Sequence, residues 1–388
     1  MAAIGRSGLG VRARVGRLDR RLRLRLLRAS PRAVLATRGF HLRHGGKVRL
    51  RWRLGAPTLA RLSPGIYVLK ARAGRRGRPL SGRRRTARFR VHAADQSPGP
   101  APAPVPPAPA PSGGAVTVAA AGDIAAPQTS PGATSGGQWL TDDLLDQIRP
   151  DAVLTLGDHV YDTSTLAAFS SYYTPNWGRF KSITRAINGG SHDFYGGGDY
   201  YTYFGQNAGP APYASYSYDI GAWHMVALNN YCSDPNVGGC GVGSRWHTWL
   251  KNDLAAHPAL CTLAYWHQPY WTSGSNHAPY TAVKDYMDLL YSAGADVLLQ
   301  AHNHQYERFA PMDPAGQRDD ARGIQAFVVG TGGRSFYGFN STPAANSLVR
   351  NGNTFGVLKL VLHPTGWDWQ FVPVAGQTFT DSGSLSCH

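Results

Sequence analysis

Hydrophobic residues recur with a period of two over the front quarter of the chain, in RLRLRLL (21–27), KVRLRWRL (47–54), GIYVLKARA (65–73) and ARFRVHA (87–93). Each run puts apolar side chains on one face and arginine on the other, which predicts half-buried β-strands. Turn signals at Gly45-Gly46 and Ser63-Pro64-Gly65 separate them, and the set predicts a small β-sandwich over residues 1–96, its first sixteen or so residues disordered. The pattern then breaks. SPGPAPAPVPPAPAPSGG, residues 97–114, has nothing with which to pack a core and is expected to act as a semi-rigid polyproline linker.

From Ala115 to His388 strand-like and helical runs interleave. VTVAAAGD precedes the helical QWLTDDLLDQI, DAVLTLGD precedes LAAFSSYY, and ITRAING follows. SYSYDIGAWHMVALNN, CTLAYWH and DVLLQAH read as strands around the helical RWHTWLKNDLAAH and TAVKDYMDLLYSAG, and strands pair late, in IQAFVVGTGG and FGVLKLVLHPTGWDWQFVPV. This order predicts an α/β (α+β) domain, a mixed sheet or two-sheet sandwich with helices outside.

Charge divides the chain at the same place. Of the 40 Lys and Arg, 27 precede residue 96, against only Asp19 and Asp95 of the 23 acidic residues, so the formal +17 resolves into +25 in front and −8 behind. Residues 17–93 are thus a candidate contact for a polyanion or a cell surface. The plainer reading is a solvated arginine-rich face, since only Lys47 and Lys70 are lysines there and no aromatic ladder accompanies them; no specific nucleic acid is expected.

Cys232, Cys240, Cys261 and Cys387 allow three pairings and form no CxxC knuckle. The short CSDPNVGGC loop favours Cys232 with Cys240, which leaves Cys261 for Cys387; four reduced thiols are the alternative. Disulfides imply an oxidising compartment, hence a secreted protein. Yet no apolar signal-like stretch follows Met1, so either the natural start differs or export uses another signal. No run of about 18 apolar residues occurs, so no transmembrane segment is expected.

The chemistry gathers at the ends of the strand-like runs. Asp123 lies in AAGDIA, Asp158 and Tyr161 in LTLGDHVYD, His192 in GGSHD, His267 in AYWHQP, and His302 and His304 in AHNHQYER. Open α/β sheets keep their sites at the carboxyl edge. Carboxylates, imidazoles and a phenol delivered there suit a hard or borderline metal ion. Singly, each has a structural reading: an Asp after a strand often makes an Asx turn, and His224, His247, His257 and His363 are read as hydrogen-bonded structural residues.

In this order the motifs resemble the calcineurin-like metallophosphoesterases, and in detail their purple acid phosphatase branch, over residues 115–388. Most of the superfamily reads Asp-x-His at the first motif, where this chain has Asp123-Ile124-Ala125; the branch supplies instead the tyrosine of GDxxY, here Tyr161. The resemblance implies a four-layer αββα sandwich, preceded here by a front domain resembling immunoglobulin-like accessory domains. It implies two metal ions: Fe(III) held by Asp123, Tyr161, His304 and a bridging Asp158, and a divalent ion (Fe, Zn or Mn) held by Asp158, His267, His302 and the residue at Ser191. A small phosphate monoester would be hydrolysed by a metal-bound hydroxide, with His192 and His277 orienting the phosphate and protonating the leaving alcohol. A phosphodiesterase or nucleotidase is the neighbouring reading, and a catalytically weakened metal-binding protein with a polyanion-binding front domain is the reading from another class.

Three departures bear on that expectation. The family's GNH is Gly190-Ser191-His192, so a hydroxyl stands where an amide oxygen is expected, with Asn188 two glycines away. AHNH at Ala301 and Asn303 replaces GHDH, with tighter packing at Ala301 expected to threaten the placement of His302. His159 stands where asparagine is common. Arg334, in GTGGRS, is set apart from the phosphate in this reading.

Overall fold

A computed structural model describes residues 114–388, except 128–135, 188, 196–197 and 211 and with residue 195 as backbone alone, together with the backbone of seven strands between residues 2 and 91. The chain divides into two units, Met1–Ala101 and Pro102–His388. The Pro/Ala tract over residues 97–113 and the arginine side chains of the front unit lie outside the described residues.

The front strands are β1 (Ala2–Gly5), β2 (Gly8–Val15), β3 (Arg21–Arg28), β4 (Ala33–His41), β5 (Gly46–Trp52), β6 (Gly65–Gly74) and β7 (Arg85–Val91). They form two antiparallel sheets, ordered β1-β2-β5 and β4-β3-β6-β7. All four alternating stretches are strands. The first sixteen residues, expected to be disordered, contribute β1 and β2, because VRARV within β2 carries the same alternation in too short a run to stand out.

In the second unit the strands are β8 (Val116–Ala121), β9 (Ala152–Thr155), β10 (Thr184–Ala186), β11 (Tyr216–Ile220), β12 (Trp223–Ala227), β13 (Cys261–Tyr265), β14 (Val297–Gln300), β15 (Tyr306–Met312), β16 (Ile324–Val329), β17 (Ser347–Asn351), β18 (Gly356–His363), β19 (Gly366–Pro373) and β20 (Ser382–Ser386). Helices used below are α1 (Gln138–Ile148), α2 (Ser191–Tyr195), α3 (Arg245–Ala256) and α4 (Lys284–Ser292). A six-stranded sheet runs β10-β9-β8-β18-β19-β20 and a seven-stranded one β11-β12-β13-β14-β16-β15-β17. β8, β9 and β10 pair in parallel, as do β12, β13, β14 and β16.

Strand alternation sets the layering, since successive side chains point to opposite faces. Leu263, Tyr265, Val297, Leu299, Phe327 and Val329 pack with Val118, Ala120, Leu358 and Leu360 in one core shared by the two sheets. Their neighbours Ala264, Leu298, Ala326 and Val328 pack instead with Trp246 and Leu250 of α3 and Tyr286, Met287 and Leu290 of α4. On the six-stranded sheet Leu144 and Leu145 of α1 are buried in the shared core. The result is the expected mixed α/β architecture of two facing sheets with helices outside.

Strands β15, β17 and β20 escape the pattern. β15 contains Glu307, fully buried and hydrogen-bonded by Ser273 N at 2.7 Å and Ser347 Oγ at 2.6 Å, and carries a bulge around Pro311. A buried carboxylate and a proline both hide a strand from a periodicity test. Both disulfides are present: Cys232–Cys240 closes the short loop and Cys261–Cys387 ties the C-terminal region to the first residue of β13. No helix among the described residues is long and apolar enough to cross a membrane.

Candidate metal centre

The site forms where parallel strands of both sheets end. Asp123 follows β8, Asp158 follows β9, His267 follows β13, and His302 and His304 follow β14. The two aspartate turns extend the ladder between their strands: Asp123 N donates to Gly157 O at 3.1 Å, Ile124 N to Asp158 O at 3.1 Å and Ala125 N to His159 O at 3.0 Å. Asp123, Asp158 and His302 sit at φ of 57°, 47° and 68°. Non-glycine residues held in the left-handed region cost energy and collect at functional sites. Gly157, at φ 93°, is needed for a second reason: a Cβ there would lie 2.7 Å from Nδ1 of His267.

Tyr161 is the hub. Its hydroxyl lies 2.7 Å from Asp123 Oδ1, 3.1 Å from Asp158 Oδ2 and 3.2 Å from His304 Nε2. Asp158 Oδ2 is also 3.3 Å from His267 Nε2, which is 3.1 Å from His302 Nδ1. One carboxylate oxygen therefore faces both the Tyr161–Asp123–His304 group and the His267–His302 group. Nδ1 of His267 donates to Leu156 O at 2.8 Å and Nδ1 of His304 to Ser335 O at 2.6 Å. Carbonyl partners of this kind fix the tautomer and aim Nε2 at the cluster, as in metal-bound histidines.

Electrostatics point the same way. Burial raises the carboxyl pKa values, but facing imidazoles outweigh it: His304 holds Asp123 low, and His267, with His192 and His302, holds Asp158 low. Burial pulls His267 down, yet the Asp158 carboxylate lifts it to about 9, while burial and the charge on His267 press His302 to about 3. Burial and the two carboxylates drive the Tyr161 phenol well above its ordinary value. Such a set crowds acidic oxygens around protons that a cation would displace, since ligands bind metals in their deprotonated forms. Asp158, His267 and His302 bring three ligand atoms within 4.8 Å of one another. The donors fit two ions, a more oxygen-rich position at Tyr161 and a more nitrogen-rich one at His267 and His302.

The remaining expected residues are placed unevenly. His192, on α2, has its ring centroid 4.3 Å from that of Tyr161, and its Nδ1 donates to Asp162 O at 2.6 Å. His277 stacks on His302 at 3.7 Å, with its pKa lowered by burial and then by His304 and His267. Ser191 starts α2 beside the cluster, but among the described residues its hydroxyl makes no hydrogen bond to it. Asn188 lies outside the described residues. Gly190 presses against Asp158, where a Cβ would come 2.0 Å from Oδ1.

Tighter packing at Ala301 does not displace His302. Ala301 is buried against Gly122, where an added Cβ would meet it at 2.5 Å, and His302 N still donates to Asp123 Oδ2 at 2.8 Å. His159 turns away: its Nε2 is 2.7 Å from Thr155 Oγ1 and its Nδ1 3.0 Å from Asp193 Oδ2. Asp193, buried and absent from the sequence reading, also accepts from Asp158 N at 2.9 Å and Ser164 Oγ at 3.0 Å, so it fixes the turn that carries Asp158. Its place in GGSHD, one residue after His192, was its only signal. Tyr337 was missed as well, and it stacks on His304 at 3.9 Å. Arg334, set apart by the sequence, lies with its guanidinium 4.9 Å from the centre of the Tyr161 ring.

A second group, His224, Asp253 and His257, also brings its ligand atoms together. There both nitrogens of His224 already face carboxylates, Asp219 at 2.8 Å and Asp253 at 3.1 Å, which makes it an ion pair in keeping with the structural role expected for these histidines.

Comparison with known proteins gives this geometry a family. The calcineurin-like phosphoesterase family matches residues 116–306. Purple acid phosphatase 15 of Arabidopsis thaliana is 26% identical over 230 residues, 48% of this chain and 42% of that protein. Purple acid phosphatase 23 of the same plant is 32% identical over 111 residues, 26% of this chain and 23% of its own. The chain thus spans less than half the length of these curated relatives. Among solved structures, a purple acid phosphatase from yellow lupin (Lupinus luteus) seeds superposes with a TM-score of 0.52 at 15% identity, over 99% of this chain and 73% of that one. GAP50, the anchor in the inner membrane complex of Plasmodium, does so at 0.52 and 15%, over 71% and 90%. At that identity the likeness speaks to the fold. The chain therefore carries a calcineurin-like metallophosphoesterase domain with purple acid phosphatases among its relatives.

Proposed function

We propose that this chain hydrolyses small phosphate monoesters at a two-metal centre, with Fe(III) on the Tyr161 side and a divalent Fe, Zn or Mn ion on the His267–His302 side. The observation that carries this reading is the meeting of Tyr161, Asp123, Asp158 and His304 within 3.2 Å of one hydroxyl, because a buried phenol between two carboxylates suits a strongly acidic cation. Two ions so held would neutralise phosphate charge and acidify a water molecule. Asp123 and Asp158 then act as anchors, the carbonyl-tethered His267 and His304 present Nε2, and Asp158 spans both positions. His192 and His277 stand beside the ligands with ring nitrogens suited to hold a phosphate oxygen and to hand a proton to the leaving alcohol.

Secretion fits the two disulfides, and the basic front unit is proposed as an accessory domain of immunoglobulin-like type contacting a polyanion or cell surface. A second reading, a metal-binding protein with weakened catalysis, draws on Ser191, whose hydroxyl makes no hydrogen bond to the cluster among the described residues. One experiment separates the two: metal analysis and a visible spectrum on the purified protein, followed by turnover of an aryl phosphate and of its diester. Two ions, a tyrosinate-to-iron absorption band and faster monoester turnover support the proposal. Bound metal without turnover of either ester leaves the second reading.

A further inference from the structure

The segment after β16, residues 330–340, is fastened by its backbone to the Tyr161–Asp123–His304 side of the metal centre. Gly332 N donates to Gly122 O at 3.0 Å, Arg334 N to Asp123 O at 2.9 Å and Tyr337 N to His304 O at 3.1 Å. Gly330 and Gly333 let it lie that close: a Cβ at Gly330 would come 2.8 Å from Asp123 Oδ2, and one at Gly333 2.4 Å from Ile124 O. Arg334 therefore starts from a fixed point next to a ligand. Its guanidinium lies over the Tyr161 ring, and its hydrogen-bond acceptor among the described residues is Asp162, at 3.5 Å. That carboxylate is 79% exposed, and so long and solvated a pair holds little. An arginine side chain 29% exposed, pinned at its backbone and lightly engaged at its head, keeps most of its donors for something else.

We propose that Arg334 binds a non-bridging oxygen of the substrate phosphate and favours the dianionic monoester over the monoanionic diester. This rests on the phosphoesterase reading above. Among the described residues Arg334 is the one permanently cationic side chain found against the ligand cluster, and a guanidinium matches phosphate oxygens in geometry and charge. A monoester offers three non-bridging oxygens. Once two are taken up at the centre, the third carries the charge that Arg334 meets; in a diester an ester group occupies that corner.

The test uses the metal-loaded wild type, Arg334→Met and Arg334→Lys. Inorganic phosphate affinity is measured by titration calorimetry, metal content by elemental analysis, and kcat/KM on an aryl phosphate and its diester. Losing a charged hydrogen bond should weaken phosphate binding and monoester kcat/KM by about 10- to 100-fold in Arg334→Met, while the diester changes less than about threefold. Arg334→Lys, which keeps charge without the fork, should fall between, and metal content should stay the same. Unchanged phosphate affinity, equal losses on both esters, or metal loss in parallel with phosphate loss would each overturn the proposal. If the wild type hydrolyses neither ester, the enzyme reading falls by itself, and the phosphate titration still decides the role of Arg334.

Discussion

Asn303 grips His277 by its main chain: the amide Oδ1 accepts from His277 N at 3.1 Å, and Nδ2 donates to the His277 carbonyl at 2.9 Å and to Thr272 Oγ1 at 2.9 Å. The residue that departs from the family's GHDH thereby sets the loop whose place was hardest to read. Asn303→Ala should lower kcat by about tenfold through misplacement of His277, against a larger loss in His277→Ala. Kinetics of the two single variants and the double variant check this. The double variant should be no slower than His277→Ala alone; additive losses would mean that Asn303 acts elsewhere.

Tyr161→Phe removes one oxygen and keeps the buried ring. It should lower metal content at the Tyr161 position and abolish any tyrosinate absorption, with thermal unfolding little changed. Asp158→Asn should cost both ions, because its Oδ2 faces both groups. Elemental analysis of the two variants checks the order; Asp158→Asn retaining two ions would refute the shared carboxylate.

Ser191→Asn tests the family departure. An amide oxygen added at the start of α2 should tighten the His267–His302 position by about 10-fold or more, on the scale of losing or gaining a metal partner. Metal titrations of variant and wild type are compared; coincident curves would show the site already complete without it.

His224 gives a pH signature away from the centre. Burial lowers its pKa, but Asp253 and Asp219 more than compensate and leave it raised. Its stabilisation is therefore fully present below the unfolded value of about 6.5 and lost as pH rises through the folded value. Denaturant midpoints of wild type and His224→Gln across pH 5 to 9 should differ most at the acidic end and converge at the alkaline end.

Long alternating or amphipathic runs made most of the fold readable. RWHTWLKNDLAAH contains α3, which buries one face through Trp246, Leu250 and Asp253, and VTVAAAGD contains β8, a short apolar run buried on both faces. Asp123, Asp158, His267, His302 and His304 were legible because each follows a strand, so their meeting needs only two facing sheets whose parallel strands end at the same edge. Arg334, Tyr337 and Asp193 were not. Their places depend on hydrogen bonds from loops to residues far away in sequence, such as Arg334 N to Asp123 O, Tyr337 N to His304 O and Asp158 N to the Asp193 carboxylate, which leave no period to detect.

The ladder that continues from β8 and β9 into the two aspartate turns makes the separation of Asp123 and Asp158 a matter of register rather than of side-chain choice. A point change near them alters one contact, whereas shortening or lengthening either turn by one residue would turn a carboxylate to the other face of its strand. Over evolutionary time these two segments should tolerate exchanged letters far better than altered length, and variation in length should collect elsewhere, in loops that no such ladder measures.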